Sequence, residues 1–191
     1  MFARTPRLLL RPGWMEDALA LAQTINDPVI ARSLSRVPTP YGLDDAEGFL
    51  ALNQHPRLPR LLAFTRTQGA PRLVGGCGIH LDDQGTPELG YWIARAYWGL
   101  GFATEAACAV LSMARANGVG DIRACHFADN PASGNVLRKL GFRFTGRIEK
   151  RYSLGRDAMV DCLLFEEGED GRMNADPAMD LYGDAMPAMA A

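Results

Sequence analysis

The stretch YWGLGFATEA, residues 97–106, places two glycines one residue apart, directly before an alanine-rich run. Gly99 and Gly101 are free to adopt conformations that other residues disfavour, and neither carries a side chain that would keep an anion from the backbone. The first N–H groups of a helix lack partners within it, and the helix N-terminus carries partial positive charge. The stretch therefore predicts a turn whose amides, over residues 99–104, hold a phosphate or diphosphate.

Alternating and helical apolar patterns predict the order β-α-α-β-β-β-α-β-α-β-β along the chain. The predicted strands are 6–12, 60–66, 72–81, 87–94, 121–128, 143–154 and 157–166, and the predicted helices are 14–25, 42–54, 101–118 and 130–142. Strands that read as an antiparallel meander come before a single β-α-β unit. This order is typical of an α+β fold rather than of a doubly wound sheet.

Signals for helix packing and helix ends are clearest in two of these segments. Helix 101–118 has an inner apolar stripe formed by Phe102, Ala106, Ala107, Val110, Leu111 and Ala114. In helix 130–142, Asn130 is the predicted N-cap, Pro131 the first helical residue and Gly141 the C-terminal stop. We therefore expect the glycine turn to lead directly into a buried helix.

Composition restricts the classes of partner. The net charge of −2 and the pI of about 5.9 give no basic excess that would favour nucleic acid or an anionic membrane. The apolar run Leu8–Leu10 is too short for a signal peptide, and no stretch approaches the ~18 apolar residues of a membrane span. The four cysteines lie far apart without a Cys-x-x-Cys pair, so no metal site is predicted. We expect a cytoplasmic protein, as a monomer or a homodimer.

Two common phosphate-binding motifs do not fit the turn. A P-loop requires Gly-Lys-Ser/Thr, whereas Phe102 and Ala103 follow Gly101 here. A dinucleotide-binding turn has a third glycine where Thr104 stands, and its ribose-binding acid ends a strand, whereas Asp121 begins one. The strand before the turn also belongs to the antiparallel meander, which argues further against the dinucleotide motif.

The pattern aromatic-Gly-x-Gly-x-Ala-Thr-Glu at residues 98–105 resembles the acyl-CoA diphosphate loop of the GNAT superfamily of N-acetyltransferases. ELGYWIARAYWGLGFATEA (88–106) followed by NPASGNVLRKLGF (130–142) is most similar to the branch that contains ribosomal-protein N-terminal acetyltransferases. Trp98 stands where the superfamily often has Gln or Arg, and an aromatic residue is usual there in this branch. The resemblance extends over roughly residues 7–166, and the predicted element order fits it throughout.

The resemblance implies a mixed, mostly antiparallel central sheet of about seven strands, flanked by about four helices. Strands 87–94 and 121–128 would be parallel but splayed apart. Residues 1–167 would form a single acetyltransferase domain, and residues 168–191 a C-terminal tail that is flexible or docks as an arm.

The resemblance also implies acetyl-CoA as cosubstrate. Its pantetheine arm would enter the splay and pair with backbone at Trp92, Ile93 and Ala94, and the N–H of Ile93 or its neighbour would polarise the thioester carbonyl. Asn130 would bond the pantetheine arm, and Arg138 would reach the nucleotide phosphates. The loop residues assigned to the diphosphate are Trp98, Gly99, Leu100, Gly101, Phe102, Ala103 and Thr104. A plain N-cap explains Asn130 equally well, and a solvated helix face explains Arg138.

The implied reaction is direct attack of a primary amine on the acetyl thioester, for which the amine must first lose a proton. Ser133 matches the Asn-x-x-Ser position that the family places near the CoA sulfur, where it returns a proton to the leaving thiolate. Candidate bases are Glu88, Glu149 and Tyr152, although some members of the branch have an acid where Tyr152 falls. A surface role for each of these side chains stays open at this point.

The sequence thus predicts an acetyl-CoA-dependent N-acetyltransferase whose acceptor is a protein N-terminus or a small-molecule amine. The alternative is a non-catalytic acyl-CoA-binding or sensor module, which needs the loop but no base and no acceptor cleft. A nucleotide-binding regulatory domain that uses the same loop is a third possibility.

Overall fold

One sheet of nine strands organises the part of the chain that the computed structural model describes, residues 1–67, 69–168 and 180–182. The strands are β1 (Phe2–Arg4), β2 (Leu8–Arg11), β3 (Arg60–Thr65), β4 (Leu73–Leu81), β5 (Pro87–Ile93), β6 (Arg123–Phe127), β7 (Phe142–Ser153), β8 (Ala158–Glu167) and β9 (Asp180–Tyr182). They lie in the order β7-β8-β6-β5-β4-β3-β2-β1-β9. Only β5 and β6 are parallel among these described neighbours.

Five α-helices flank this sheet in the described residues. They are α1 (Ala18–Ile25), α2 (Pro28–Ala31), α3 (Leu43–Ala51), α4 (Phe102–Ala116) and α5 (Pro131–Lys139). The predicted α+β class, with a mostly antiparallel sheet and one parallel pair, is confirmed. Every predicted strand and helix is present within a few residues of its predicted bounds. The sequence pattern did not predict β1, α2 or β9, which have only three or four residues each.

Two apolar clusters cover the two faces of the sheet. The larger joins α4 and α5 to one face, and all six residues of the predicted stripe of α4 are buried in it or against it. The smaller joins α1 and α3 to the other face, where Trp92 of β5 packs against it. Since residues alternate between faces along a strand, Glu88 and Gly90 share the face of Trp92, and Tyr91 faces α4 and α5.

The predicted ends of helix α5 are confirmed. The side chain of Asn130 accepts a hydrogen bond from the N–H of Ser133, at 3.2 Å, and Pro131 is the first helical residue. Gly141, just after the helix, has a φ of +86°, in the left-handed region where glycine costs least. Asn130 and Ser133 are therefore held in one geometry by the cap.

The parallel pairing of β5 with β6 ends after two residues. Glu88 lies opposite Arg123 and Leu89 opposite Ala124, and no further pair joins these two strands in the described residues. Strand β5 continues against β4 as far as Ile93, while β6 continues against β8 as far as Phe127. A gap therefore opens between β5 and β6, as predicted for the splayed pair.

Most of the tail predicted as 168–191 lies outside the described residues. The N–H of Gly168 donates to the carbonyl of Gly141, at 3.0 Å. Strand β9 (Asp180–Tyr182) pairs antiparallel with β1 at the edge of the sheet. The boundary at residue 167 stays a prediction. No helix in the described part of the chain has the length and apolar character needed to cross a membrane.

Candidate functional site

The gap between β5 and β6 exposes backbone groups of β5. The N–H of Ala94 donates to the carbonyl of Val74 on β4, at 2.8 Å. Backbone groups alternate in direction along an antiparallel pair, so the N–H groups of Tyr91 and Ile93 point away from β4, into the gap. The carbonyl of Ile93 accepts a hydrogen bond from the indole Nε1 of Trp98, at 2.7 Å. The gap thus presents the donor that the sequence analysis assigned to Ile93, and Trp98 closes one end of it.

The glycine loop leads from this gap into helix α4. A short 3₁₀ turn, Arg95–Tyr97, follows β5, and the loop residues that run from it into the first helical turn are Trp98, Gly99, Leu100, Gly101, Phe102, Ala103 and Thr104. Gly99 and Gly101 have φ angles of +76° and +80°. Both glycines therefore occupy the left-handed region, and the loop delivers its amides to the N-terminus of a fifteen-residue helix.

The two glycines differ in what a side chain would meet. A Cβ at Gly99 has no heavy atom within 4 Å, so it would project into open space. A Cβ at Gly101 would lie 3.5 Å from Nη2 of Arg7. The sequence analysis expected both glycines to clear space for an anion; the structure gives Gly101 a different neighbour, the guanidinium of Arg7.

Helix α5 brings Ser133 against a tyrosine of β5. The Tyr91 hydroxyl lies 2.8 Å from the Ser133 hydroxyl and donates to the Ser133 carbonyl, at 3.1 Å. Burial raises the pKa of Tyr91, so the phenol keeps its proton at neutral pH. Sequence reasoning missed Tyr91; its position facing α5 in the strand before the loop was the available signal. The Ser133 hydroxyl is therefore hydrogen-bonded to Tyr91 and is not a purely solvent-facing group.

Asn130 and Arg138 lie at opposite ends of the same helix. The Asn130 side chain caps α5 through its carbonyl oxygen, and its amide N–H groups are not needed for that bond. Arg138, in the last turn, donates to the side chain of Asn135 on the exposed surface, at 3.1 Å. The cap role of Asn130 and a ligand role are thus compatible, because they use different atoms.

The face of β5 opposite α5 carries a buried ion pair. Glu88 is 6% exposed and accepts hydrogen bonds from Nη1 of Arg151 at both oxygens, at 2.8 and 2.7 Å. Nε2 of His80 lies 3.6 Å from the same carboxylate. Burial opposes ionisation of Glu88, but His80 and Arg151 outweigh it and hold the pKa of Glu88 below its usual range. Glu88 is therefore a buried, ionised carboxylate.

The other two candidate bases, Glu149 and Tyr152, lie on strand β7 of the β7–β8 hairpin. Glu149 accepts from Arg147, at 3.0 Å, and both side chains are exposed. Tyr152 donates to the carboxylate of Asp157, and this hydrogen bond raises the pKa of Tyr152. A phenol with a raised pKa stays protonated at neutral pH. Tyr152 can therefore donate a hydrogen bond, but it is not available as a base.

One carboxylate joins three segments near Asn130. Asp129 accepts hydrogen bonds from both terminal nitrogens of Arg156, at 2.8 and 2.9 Å, and from Arg32, at 3.0 Å. Nε of Arg156 also donates to the carbonyl of Arg32, at 2.6 Å. Asp129 thereby connects the turn before α5 with the segment after α2 and the tip of the β7–β8 hairpin.

Histidines and cysteines form no metal centre in the described ranges, where no group of three or more His, Cys, Asp or Glu is arranged to hold an ion. His126 is buried; its Nδ1 lies 2.8 Å from the carbonyl of Phe127, and its Nε2 has no partner among the described residues. Burial raises the pKa of Cys77, which makes its thiol a poor nucleophile.

A family model described as an acetyltransferase (GNAT) domain matches residues 7–143. The chain belongs to the GNAT acetyltransferase family. The GNAT chain is 32% identical over 159 residues to the uncharacterized N-acetyltransferase YoaA of Bacillus subtilis, covering 76% of this chain and 85% of that protein. It is 26% identical over 167 residues to the uncharacterized N-acetyltransferase p20 of Bacillus licheniformis, covering 84% and 92%. These matches identify the protein as an acyltransferase enzyme.

Solved structures share the GNAT fold. A GNAT-family acetyltransferase from Bacillus anthracis has a TM-score of 0.72 and 24% identity, with 87% of this chain and 97% of that chain covered. The microcin C7 self-immunity acetyltransferase MccE, solved in complex with acetyl-CoA and AMP, has a TM-score of 0.69 and 18% identity, with 85% and 92% covered. At these identities the likeness concerns the fold.

Gly99→Ala should weaken acetyl-CoA binding by about tenfold, which corresponds to ~1.4 kcal/mol. The added Cβ enters the open space at the loop and strains a backbone that has a φ of +76°, which disturbs the amides assigned to the diphosphate. Gly118→Ala is the matched control, because Gly118 has a φ of +74° and equally open surroundings but follows the other end of α4. Titration calorimetry and thermal melts of both variants check this. Similar Tm losses with weaker binding only in Gly99→Ala are expected; equal acetyl-CoA affinity in the two variants contradicts the loop assignment.

Glu88→Gln should lower the free energy of unfolding at pH 7 by roughly 1–3 kcal/mol, because it leaves Arg151 without its carboxylate. The pKa of Glu88 is lowered in the folded state, so its contribution is present above the ordinary glutamate pKa and is lost as pH falls through the folded value. The Tm difference from wild type should therefore shrink below about pH 4. Asp161→Asn removes the exposed pair with Lys150 on the same hairpin and should change Tm little. A Tm difference for Glu88→Gln that does not vary with pH rules out the ionised pair as its cause.

Proposed function

We propose that this GNAT enzyme moves the acetyl group of acetyl-CoA directly to a primary amine, either a protein N-terminus or a small molecule. The observation that carries the proposal is the position of the open β5–β6 gap next to a left-handed glycine loop at the start of α4. The gap suits an extended, amide-containing arm, and the loop suits a diphosphate. A ligand that has both, joined in that order, is an acyl-CoA.

The described residues fit each part of this cosubstrate. The structure corrects the assignment of Trp92 and Ala94, because their backbone groups face β4 and the N–H of Ala94 is bonded to Val74. In the proposal, backbone at Tyr91 and Ile93 pairs with the pantetheine arm, and the N–H of Ile93 donates to the thioester carbonyl. That donor stabilises the negative charge that develops on the carbonyl oxygen during attack. The amide N–H groups of Asn130 hold the far side of the arm, and Arg138 meets the phosphates at the nucleotide end.

The hydroxyl pair at α5 supplies the proton for the leaving group. As the amine nitrogen bonds to the acetyl carbon, the carbon–sulfur bond breaks and the sulfur leaves as a thiolate. In the proposal Ser133 gives its hydroxyl proton to that thiolate. Tyr91, 2.8 Å away, then donates its own proton to the Ser133 oxygen. Burial raises the pKa of Tyr91, so the phenol is protonated at the start of this step, and the phenolate that it leaves regains a proton from water.

The carboxylate of Glu88 lies on the acceptor side of the sheet in this proposal. An entering amine carries a positive charge and must lose a proton to water or to a base before attack. We assign Glu88, an ionised group held by Arg151, to accept a hydrogen bond from the water that takes the proton of the ammonium. Because the pKa of Glu88 is lowered, that proton passes on to solvent instead of staying on the carboxylate. Tyr152, bonded to Asp157, serves as a donor near the hairpin tip rather than as the base.

Three finer predictions from the sequence belong to the same proposal. They are membership of the branch similar to ribosomal-protein N-terminal acetyltransferases, a cytoplasmic location and a monomeric or homodimeric state. Support for the branch comes from the joint presence of the aromatic Trp98 before the loop and the Asn130-x-x-Ser133 motif.

The proposal is tested by calorimetric titration of acetyl-CoA, followed by a thiol-release assay over a panel of amines. The panel holds spermidine, free amino acids, an aminoglycoside and short peptides with different N-terminal residues. Saturable binding with turnover on one class is the expected result. Absence of acetyl-CoA binding contradicts the proposal. Tight binding without turnover on any amine favours the non-catalytic acyl-CoA-binding module.

Ser133→Ala should lower kcat by about 10- to 100-fold and change the acetyl-CoA KM little, because the lost proton donor acts in the transition state. Tyr91→Phe should lower kcat less, since it removes the second donor and leaves the first. Ser112→Ala, a serine of α4, is the control and should leave kcat unchanged. Steady-state kinetics on the acceptor found in the panel measure all three. Unchanged kcat in Ser133→Ala contradicts the assignment of Ser133 as the proton donor.

A further inference from the structure

Arg7 reaches from the segment between β1 and β2 across to the glycine loop. Its Nη1 donates to the carbonyl of Leu100, at 2.7 Å, and its guanidinium lies 4.6 Å from the centre of the Phe102 ring. Its Nε and Nη2 each lie 2.6 Å from Oε2 of Glu105. One side chain thus contacts three residues of the loop and of the first turn of α4.

The contact with Leu100 fixes the direction of an amide. In a trans peptide the carbonyl of one residue and the N–H of the next point in opposite directions. The carbonyl of Leu100 is held toward Arg7, so the N–H of Gly101 is turned to the opposite side of the loop. Without Arg7, this peptide between a glycine and an exposed leucine is free to rotate, because Gly101 tolerates many backbone conformations.

The contact with Glu105 removes a charge that works against the loop. Glu105 lies in the first turn of α4, where an uncompensated carboxylate repels a diphosphate at the helix N-terminus. The backbone N–H of Arg7 and the hydroxyl of Thr5 both donate to Oε1 of Glu105, at 2.8 and 2.5 Å, in addition to the guanidinium. The Glu105 side chain, 13% exposed, is therefore neutralised by Arg7.

We infer that Arg7 is a positioning residue of the donor site, which orients the Gly101 N–H for the diphosphate by holding the Leu100 carbonyl. The inference rests on the proposed acetyl-CoA function of the loop. Arg7 has no contact with the reacting atoms in this inference. Arg7 therefore affects the affinity for diphosphate-bearing ligands and not the chemical step. Planar geometry matters as well as charge, since one guanidinium serves the carbonyl and the carboxylate together.

The first test is the Kd of CoA, measured by calorimetry. Arg7→Met should raise this Kd about 10- to 100-fold, because the Leu100 carbonyl and the Glu105 carboxylate both lose their donor. Arg7→Lys should remain at least about fivefold weaker than wild type, because an ammonium cannot bridge both acceptors in the same way. Arg66→Met is the matched control: Arg66 also donates to backbone carbonyls of this segment, those of Thr5 and Pro6, but does not reach the loop.

A double variant separates geometry from charge. Arg7→Met combined with Glu105→Gln restores neutrality at the start of α4 but leaves the Leu100 carbonyl unheld. The inference expects the CoA Kd of the double variant to stay at least about fivefold above that of wild type, in which the Arg7–Glu105 pair is equally neutral. Wild-type CoA affinity in the double variant, or in Arg7→Lys, would show that Arg7 acts only as a charge. Either result overturns the inference.

A truncated donor provides an independent readout. S-acetylpantetheine lacks the diphosphate, so its kcat/KM should be the same in Arg7→Met and in wild type, while the kcat/KM for acetyl-CoA falls. Equal losses with both donors indicate a general structural defect and overturn the inference. If wild type itself fails to bind CoA, the proposed function fails first. If wild type binds CoA and Arg7→Met binds it equally well, only the role of Arg7 fails.

Discussion

Strand β5 depends on two neighbours, and it loses one of them after Leu89. Buried backbone N–H and C=O groups require hydrogen-bond partners, so a strand that diverges from its neighbour leaves a row of groups that something else must satisfy. In this protein that row begins directly after the pairs Glu88–Arg123 and Leu89–Ala124 and ends at the indole of Trp98. In the proposed function, the donor site is therefore a consequence of the sheet's connectivity more than of any side chain in it.

The start of helix α4 shows how a helix terminus is prepared for an anion when its own first turn contains an acid. The left-handed glycines turn the chain, and the carboxylate of Glu105 is bonded to Arg7 and Thr5. The N-terminal charge of the helix is then available to a ligand instead of being cancelled internally. Because Arg7 comes from the first strands of the sheet, the N-terminal segment of the chain is part of the loop's construction. The sequence of the N-terminal segment does not by itself predict the contact between Arg7 and the loop.

The features that the sequence predicts are those whose cause is local. The buried stripe of α4, the cap at Asn130, the stop at Gly141 and the glycine turn each follow from neighbouring residues, and each is present. The contacts that complete the site join residues far apart in the chain, and helical or strand periodicity does not say which residue lies opposite. Glu88 illustrates this: its position on a strand is compatible with an exposed acid, and only the register of four strands brings Arg151 to it. The shortest strands carry too few residues for any period to be recognised.

Asp129 precedes Asn130 directly and is bonded to Arg32, after α2, and to Arg156, at the tip of the β7–β8 hairpin. In the proposed function, the turn that bonds the pantetheine arm is therefore connected to both segments through one carboxylate. An acceptor that contacts either arginine changes the forces on Asn130, and acetyl-CoA bound at Asn130 changes the positions of the arginines. Thermodynamic linkage requires these effects to be equal: whatever factor one substrate imposes on the affinity of the other, it receives in return. In the proposed function, the coupling between the two substrates therefore passes through a single carboxylate, that of Asp129.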